Sequence, residues 1–464
     1  MDPVNWSGRK VVVLGLGDTG LSMARWLARQ GARVRVADSR PEPPHAAQLA
    51  RDMPHVPLVT GVFDDETFRD VDSIAISPGL DPREAPIARA STRGVPLVGD
   101  VELFAQALPH SLARDAQILA VTGSNGKSTV TAMAGAICRM AGRNTVVAGN
   151  IGLPVLDALA SVEDAPVAPD VFVIELSSFQ LESTAHLSPD AATVLNLTED
   201  HLDRYEGMQD YAAAKSRVFS GNGVQILNRD DRWSMGMARA GRTIFTFGLS
   251  APRSESEWGV TEARGERALA HGRHRLMTLA ELPLAGGHNA ANALAAHALT
   301  HAAGGVPDEA AADALRRFEG LPHRVQHVAE FAGVAFYDDS KGTNVGATVA
   351  ALSGMGRPVV LIAGGDGKGQ DFNPLAHAVE RHARAVVLIG RDADRIEQAL
   401  KGTGVPLERA RDMKQAVVTA RRASHRGDAV LLSPACASFD MFRNYAHRGE
   451  VFVAAVQALA REEG

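Results

Sequence analysis

The sequence predicts an α/β protein of three consecutive domains. Three observations predict it. The chain has 464 residues, and a domain takes roughly 150. Glycine-rich turns follow apolar runs at Gly15 and again at Gly123. Short apolar runs then alternate with helical stretches to the end of the chain. At 45% hydrophobic and 22% charged residues, there is material for more than one core.

The first block, 1–105, opens with the apolar run 11–14 and continues Gly15-Leu16-Gly17-Asp18-Thr19-Gly20. A helical pattern runs to Gln30, Gly31 stops it, and a second strand, 33–37, ends in Asp38. This is a Rossmann-like βαβ unit with a glycine-rich first turn. The run 73–76 before Ser77-Pro78-Gly79 continues the alternation.

The second block, 106–320, begins with a strand at 117–121. Thr122-Gly123-Ser124-Asn125-Gly126-Lys127-Ser128-Thr129 follows, then a helix to about residue 140. Strand-like runs recur at 171–174 and 193–197. Residues 225–283 read as a small antiparallel patch, because short strands are separated by Gly, Arg and His turns. An Ala-rich helix, 289–303, precedes a boundary near Gly320. The block has the pattern of a phosphate-loop ATPase-type α/β domain.

The third block, 321–464, is again Rossmann-like. Its runs 359–363, 385–389 and 429–432 suit buried parallel strands. Ligands in such sheets sit beyond the carboxyl ends of the strands, and the polar motifs fall there.

With a net charge of -6 and Lys and Arg spread along the chain, nothing points to a nucleic-acid surface, and no nucleic-acid partner is expected. Two cysteines far apart, Cys138 and Cys436, argue against a disulfide framework and for a reducing compartment. Cys436 has no local histidine partner and reads as structural. Residues 1–9 are polar, and no run approaches about 18 apolar residues. The expectation is a cytoplasmic protein without a membrane span.

The glycines of 123–126 let backbone N–H groups approach phosphate oxygens, and the following helix adds positive partial charge. Lys127 can reach terminal phosphates, and the Ser128 hydroxyl can bind Mg²⁺. Val121 stands where the longer GxxxxGK[ST] spacing needs glycine, so the loop is shortened. Glu175 and His201 each follow a strand of this block. Alone they read as a strand-end charge and a loop histidine; beside a phosphate loop they read as metal ligands. Mg²⁺ prefers oxygen, so a histidine admits Mn²⁺ or a second metal.

The pattern Gly15-x-Gly17-x-x-Gly20, with Asp38 downstream, fits a dinucleotide, another nucleotide diphosphate, or a turn that merely packs a helix on a strand. His288-Asn289 with Asn292, His323-Arg324, Asp339 to Asn344, Gly364 to Gly369 and Ser433 to Ser438 are each plausible caps or turns when taken singly.

Taken together, the motifs resemble the Mur ligase family, closest to its D-glutamate-adding members. In order they are TGSNGKST, AGNIG, ELSSFQLE, NLTEDHLDRY, GGHNAAN, LPHR, DDSKGTN, GGDGKG and LLSPACAS, spread over all three blocks. The resemblance implies an ATP-dependent amide ligase of peptidoglycan precursor synthesis. It would add D-glutamate to UDP-N-acetylmuramoyl-L-alanine through an acyl phosphate, releasing ADP and phosphate.

The resemblance also implies roles. Gly123 to Thr129 (Ser124, Asn125, Gly126, Lys127 and Ser128 between them), Asn289, Asn292, Arg324 and Asp339 would hold ATP. Ser128 and Glu175 would bind the first Mg²⁺, and His201 a second, with Lys215 carbamylated beside it. Lys127, Lys215 and His201 form the catalytic set. Gly17, Asp18, Thr19, Asp38, Ser39, Arg40, Ser77, Pro78, Gly79 and Asn150 would hold the UDP substrate. Thr343, Lys368, Ser438 and Tyr445 would hold D-glutamate. The implied state is a monomer acting on small molecules. Gly342 stands where the family shows alanine. A nicotinamide dehydrogenase would leave the phosphate loop and Lys215 idle. A non-catalytic nucleotide-binding module would not explain the metal set.

Overall fold

The computed structural model describes residues 4–284 and 286–463, so the first three residues of the polar start lie outside it. Among the described residues the strands form sheets of five, nine and six, in consecutive stretches of chain.

The first sheet is wholly parallel, in the spatial order Leu58–Thr60, Arg33–Asp38, Lys10–Leu14, Ser73–Ile76, Leu97–Val98. Strand order reverses between Lys10–Leu14 and Ser73–Ile76, the place where open α/β sheets bind ligands. Gly15 to Gly17 and Ser77 to Gly79 emerge there. The helix Asp18–Arg29 enters so close to the first strand that a Cβ at Gly20 would lie 1.7 Å from the Gly15 carbonyl oxygen. Gly15 itself turns at φ +83°.

In the central sheet, Gln117–Thr122 lies between Val171–Glu175 and Ala191–Val194, all parallel. The register pairs Val121 with Glu175 and Thr122 with Val194, so the phosphate loop, Glu175 and Leu195 leave the sheet side by side. The expected antiparallel patch at 225–283 needs correction. Val224–Asn228 pairs parallel with Ala191–Val194 and with Ile244–Phe247, which pairs parallel with Glu257–Ala263. Only Glu257–Ala263, Glu266–His271 and His274–Thr278 run antiparallel. The helix Arg232–Gly236 lies between the first two strands and makes their connection a crossover in place of a hairpin.

The third sheet starts with an antiparallel pair, Gln326–Phe331 and Val334–Asp338, which lies outside the expected buried parallel runs. Ala429–Leu432, Val359–Gly364, Ala383–Ile389 and Leu407–Arg409 then follow in parallel.

The helix Asp100–Ala107, which contains residue 105, welds the first sheet to the second. Phe104 meets Phe172 edge-on at 5.4 Å, and the Asp100 carboxylate accepts from Gln180 Nε2 at 3.0 Å. Ser22 donates to Asp157 across the same boundary at 2.7 Å. Among the described residues no helix is long and apolar enough to cross a membrane.

Replacing Gly20 by Ala forces the first turn open. The expected loss is about 1–3 kcal/mol, the usual cost of overpacking a tight contact, read from urea unfolding. An unchanged midpoint would show that the turn yields freely.

Candidate active site

The phosphate loop is built around its glycines. Gly126 turns at φ +83°, and a Cβ there would come 2.4 Å from Asn292 Oδ1. The loop is pinned from below: Ser124 N donates to the Asn196 carbonyl at 2.8 Å, and Asn125 N to Asn196 Oδ1 at 2.9 Å. Lys127 opens the helix Lys127–Met140, but its ammonium folds back onto the Gly123 and Ser124 carbonyls, each at 2.8 Å. Burial lowers its pKa to about 8. Arg324, from the third block, donates to Ser128 Oγ at 2.7 Å.

Beside the loop stands Glu175, buried at the end of its strand. Its Oε1 accepts from Asn150 Nδ2 at 2.9 Å, while Oε2 is buried without a hydrogen-bond partner. His201 sits in a left-handed conformation, φ +57°, with Phe179 edge-on at 4.7 Å. Burial drives its pKa down to about 4, leaving a neutral imidazole. Lys215, on the helix Met208–Ser216, is almost fully buried. Its amine donates to Thr122 Oγ1 at 3.3 Å and lies 4.8 Å from the Tyr211 ring centre. Burial, then the neighbouring Lys127, push its pKa well below the ordinary lysine value.

Lys127, Ser128, Glu175, His201 and Lys215 line one cavity of about 430 Å³. A bare carboxylate oxygen, a neutral imidazole and a hydroxyl suit a divalent cation. The donor set thus fits the expected metal. A second cavity, about 490 Å³, is lined by Thr129, Asn289, Asn292 and Asp339. Asn125, Gly126, Arg324 and Lys341 line both cavities, so the two meet at the phosphate loop. The Asp339 carboxyl accepts from Ser433 Oγ at 2.7 Å, and burial raises its pKa to about 7. A Cβ at Gly342 would lie 2.6 Å from Asp339 Oδ2, so this chain packs the loop more closely than an alanine there would permit.

Pro78, Gly79 and Asn150 border the metal-side cavity. The other expected UDP-side residues stay at the carboxyl end of the first sheet. Asp38 is not a free acceptor there. Its oxygens take Leu16 N at 2.6 Å, Arg40 N and Nε at 2.9 Å, and Arg40 Nη2 at 2.6 Å. Those four bonds fill a carboxylate's capacity.

Of the residues expected at D-glutamate, Thr343 and Lys368 line the metal-side cavity; Ser438 and Tyr445 do not. Ser438 is buried beside the exposed Phe439, which does line it. The Tyr445 ring carries the Lys341 ammonium 3.7 Å above its centre. Several participants escape sequence reasoning. Asp200 accepts from Lys368 Nζ at 3.1 Å and from Asn344 Nδ2 at 3.3 Å, and that same Asn344 amide donates to Asn125 Oδ1 at 3.0 Å. Lys341 is pushed down to about 8 by burial. Asp200 lies in the NLTEDHLDRY stretch beside His201, which by itself gave it no role.

With this geometry in hand, the comparisons agree along the chain. Residues 9–99 match the Mur ligase MurD-like N-terminal domain, 121–300 the Mur ligase middle domain, and 323–436 the Mur ligase glutamate ligase domain. The UDP-N-acetylmuramoylalanine–D-glutamate ligase of Aromatoleum aromaticum is 56% identical, over 98% of each chain. The protein of that name from Methylobacillus flagellatus is 57% identical, again over 98% of each. The crystal structure of UDP-N-acetylmuramate–alanine ligase MurC from Thermotoga maritima matches with a TM-score of 0.62 at 20% identity. It covers 97% of this chain and 99% of that one, a likeness of fold.

The depressed His201 pKa has a stability consequence. An unfolded histidine takes up its proton near pH 6.5, the folded one only near 4. Between those values the unfolded state binds more protons, so His201 makes stability fall as pH drops through that window. His201→Gln should remove that part of the slope in urea titrations at about pH 7 and about pH 5. An unaltered slope would mean that the imidazole is not held neutral.

Proposed function

This chain belongs to the Mur ligase family, and we propose that it joins D-glutamate to the alanine carboxylate of UDP-N-acetylmuramoyl-L-alanine, using ATP. The observation that carries this reading is the bare Oε2 of Glu175. Glu175 lines a cavity shared with the phosphate-loop lysine, a neutral histidine and a buried amine.

The reaction sets two anions against each other. The substrate carboxylate attacks the γ-phosphorus of ATP, the bond to ADP breaks, and an acyl phosphate forms. The uncharged amine of D-glutamate then attacks the acyl carbon, phosphate leaves, and the amine's proton is released. Lys127, Arg324 and Lys341 surround the junction of the two cavities, where the transferred phosphoryl group would lie. Their charges offset the accumulating negative charge in a site shielded from water. Ser128, Glu175 and His201 would hold Mg²⁺, or Mn²⁺ at the histidine, which supplies further charge neutralisation there.

ATP would span both cavities, its base and ribose among Asn289, Asn292 and Asp339. The open rim at Gly17, Asp18, Ser39 and Arg40 would take the UDP moiety, whose tail passes Pro78, Gly79 and Asn150 to the junction. Lys368 and Thr343 would receive D-glutamate. Tyr445 would act through Lys341, and Ser438 through the adjoining Phe439. The three blocks 1–105, 106–320 and 321–464 thereby serve the UDP substrate, ATP and the amino acid. Convergence in one chain supports a monomeric enzyme. Two buried free thiols fit the reducing cytoplasm.

Phosphate release from ATP should require both UDP-N-acetylmuramoyl-L-alanine and D-glutamate. Efficient turnover with L-lysine or meso-diaminopimelate would overturn the assignment. Lys368→Ala should raise the KM for D-glutamate about 10- to 100-fold, the worth of one charged hydrogen bond, with the KM for ATP little changed.

We further propose that the Lys215 amine adds to CO₂, losing a proton and forming a carbamate. An ammonium would repel a neighbouring cation, whereas a carbamate offers two hard oxygens. Lys215→Ala should cut turnover sharply, and small carboxylates should restore part of it. Full activity of the variant, or electron density for an unmodified amine in active enzyme, would dismiss the carbamate.

A further inference from the structure

Away from both cavities, the central domain gathers three histidines around one carboxylate. His271 ends the strand Glu266–His271, His297 and His301 lie on the helix Gly287–Ala302, and Asp308 opens the helix Asp308–Arg316. One ring nitrogen each from His271 and His301 and a carboxylate oxygen of Asp308 lie within 4.8 Å of one another.

The hydrogen bonds fix the tautomers. His271 Nε2 lies 2.9 Å from the Glu255 carbonyl, which only accepts, so that nitrogen carries hydrogen. Its Nδ1 faces Asp308 Oδ1 at 3.4 Å. In a neutral ring that nitrogen is a lone pair set against a carboxylate, an arrangement that calls for a cation between them. Trp258 Nε1, a donor only, bonds His297 Nδ1 at 3.0 Å, which leaves the His297 proton on Nε2, 3.1 Å from Asp308 Oδ1. That nitrogen is buried with no hydrogen-bond partner of good geometry, so its contact with Asp308 is electrostatic. His301 Nδ1 is buried with no hydrogen-bond partner. Trp258 stacks flat on His271 at 4.0 Å and meets His301 edge-on at 5.4 Å, holding both rings in place.

We propose that His271, His301 and Asp308 bind one Zn²⁺, completed by water. Two imidazoles and one carboxylate form a nitrogen-rich set that favours zinc over Mg²⁺. Ideal ligands of such an ion stand closer together than 4.8 Å, and the glycines at 304 and 305, just before Asp308, give the chain freedom to close. The ion would tie the end of the helix Gly287–Ala302 to the sheet. That same helix presents Asn289 and Asn292 to the nucleotide cavity, about 18 Å away at 1.5 Å per residue.

The test uses the full chain carrying His201→Gln, so that no histidine remains in the cavity that holds Glu175 and Lys215. After chelator treatment it is dialysed against Zn²⁺ in excess Mg²⁺. One retained zinc per chain, a raised Tm and altered tryptophan fluorescence are expected, all lost in His301→Gln and in Asp308→Asn. Co²⁺ in the same protein should give the visible bands of a four-coordinate nitrogen–oxygen site, a readout that holds even where a variant misfolds. No retained zinc, equal retention in the folded variants, or six-coordinate cobalt would overturn the proposal.

Discussion

A carboxylate taken out of water must be compensated, and Glu175 is compensated on one oxygen only. Leaving the other bare is costly unless a cation arrives. The same cavity holds the opposite imbalance. Lys127 and Lys215 are desolvated by more than Glu175 and Asp200 offset, and each has its pKa lowered as a result. Cations and carboxylate face one another across a space they do not close. The strand register that sets Glu175 beside the phosphate loop makes this arrangement unavoidable. A metal-bound polyphosphate is the chemical species that satisfies both sides at once.

The third domain takes its place through the same loop. Arg324 reaches Ser128, Asn344 reaches Asn125, and Lys368 reaches Asp200, so all three contacts end on residues of the central cavity. A hydroxyl has two acceptor positions, so the Arg324 bond leaves Ser128 one lone pair for a metal. Lys368 carries a similar double duty. Its ammonium compensates Asp200 in this structure, and an incoming amino-acid carboxylate would share or replace that partner. The pairing keeps the lysine aimed into the cavity.

Much of this was legible in the sequence wherever the chemistry is local. A strand, glycines, Lys127 and a helix occur within a dozen or so residues, because a phosphate loop is one continuous turn. Gly20 was legible as a fingerprint but not in purpose; only the 1.7 Å approach to Gly15 shows that it packs a helix. Asp38 was legible as a polar strand end, yet its four bonds make it a brace of the turn. The strands from Val224 to Phe247 were misread because turn residues do not reveal whether a connection crosses over. Lys341, Asn344 and Asp200 acquire roles only where two domains meet, and no spacing encodes that. The histidine cluster draws on Trp258, His271, His301 and Asp308, too scattered to form a motif.

Lys127 shows how the resting geometry prepares for a ligand. Its ammonium is held by the carbonyls of Gly123 and Ser124, two neutral acceptors of its own loop. A phosphate oxygen brings full negative charge where a carbonyl offers only a dipole, so the attraction between the two charges adds to the hydrogen bond. A terminal phosphate would therefore draw the lysine outward, while the loop keeps the shape its glycines and the Asn196 contacts impose. Lys341 stands in the same relation to the face of Tyr445, a weak site compared with an anion. Both lysines begin near pKa 8 and would rise on meeting phosphate. The burial that weakens them in isolation strengthens each bond they make to the nucleotide, because little water competes. Preorganisation here consists of cations parked on replaceable neutral partners beside a carboxylate with one oxygen left bare.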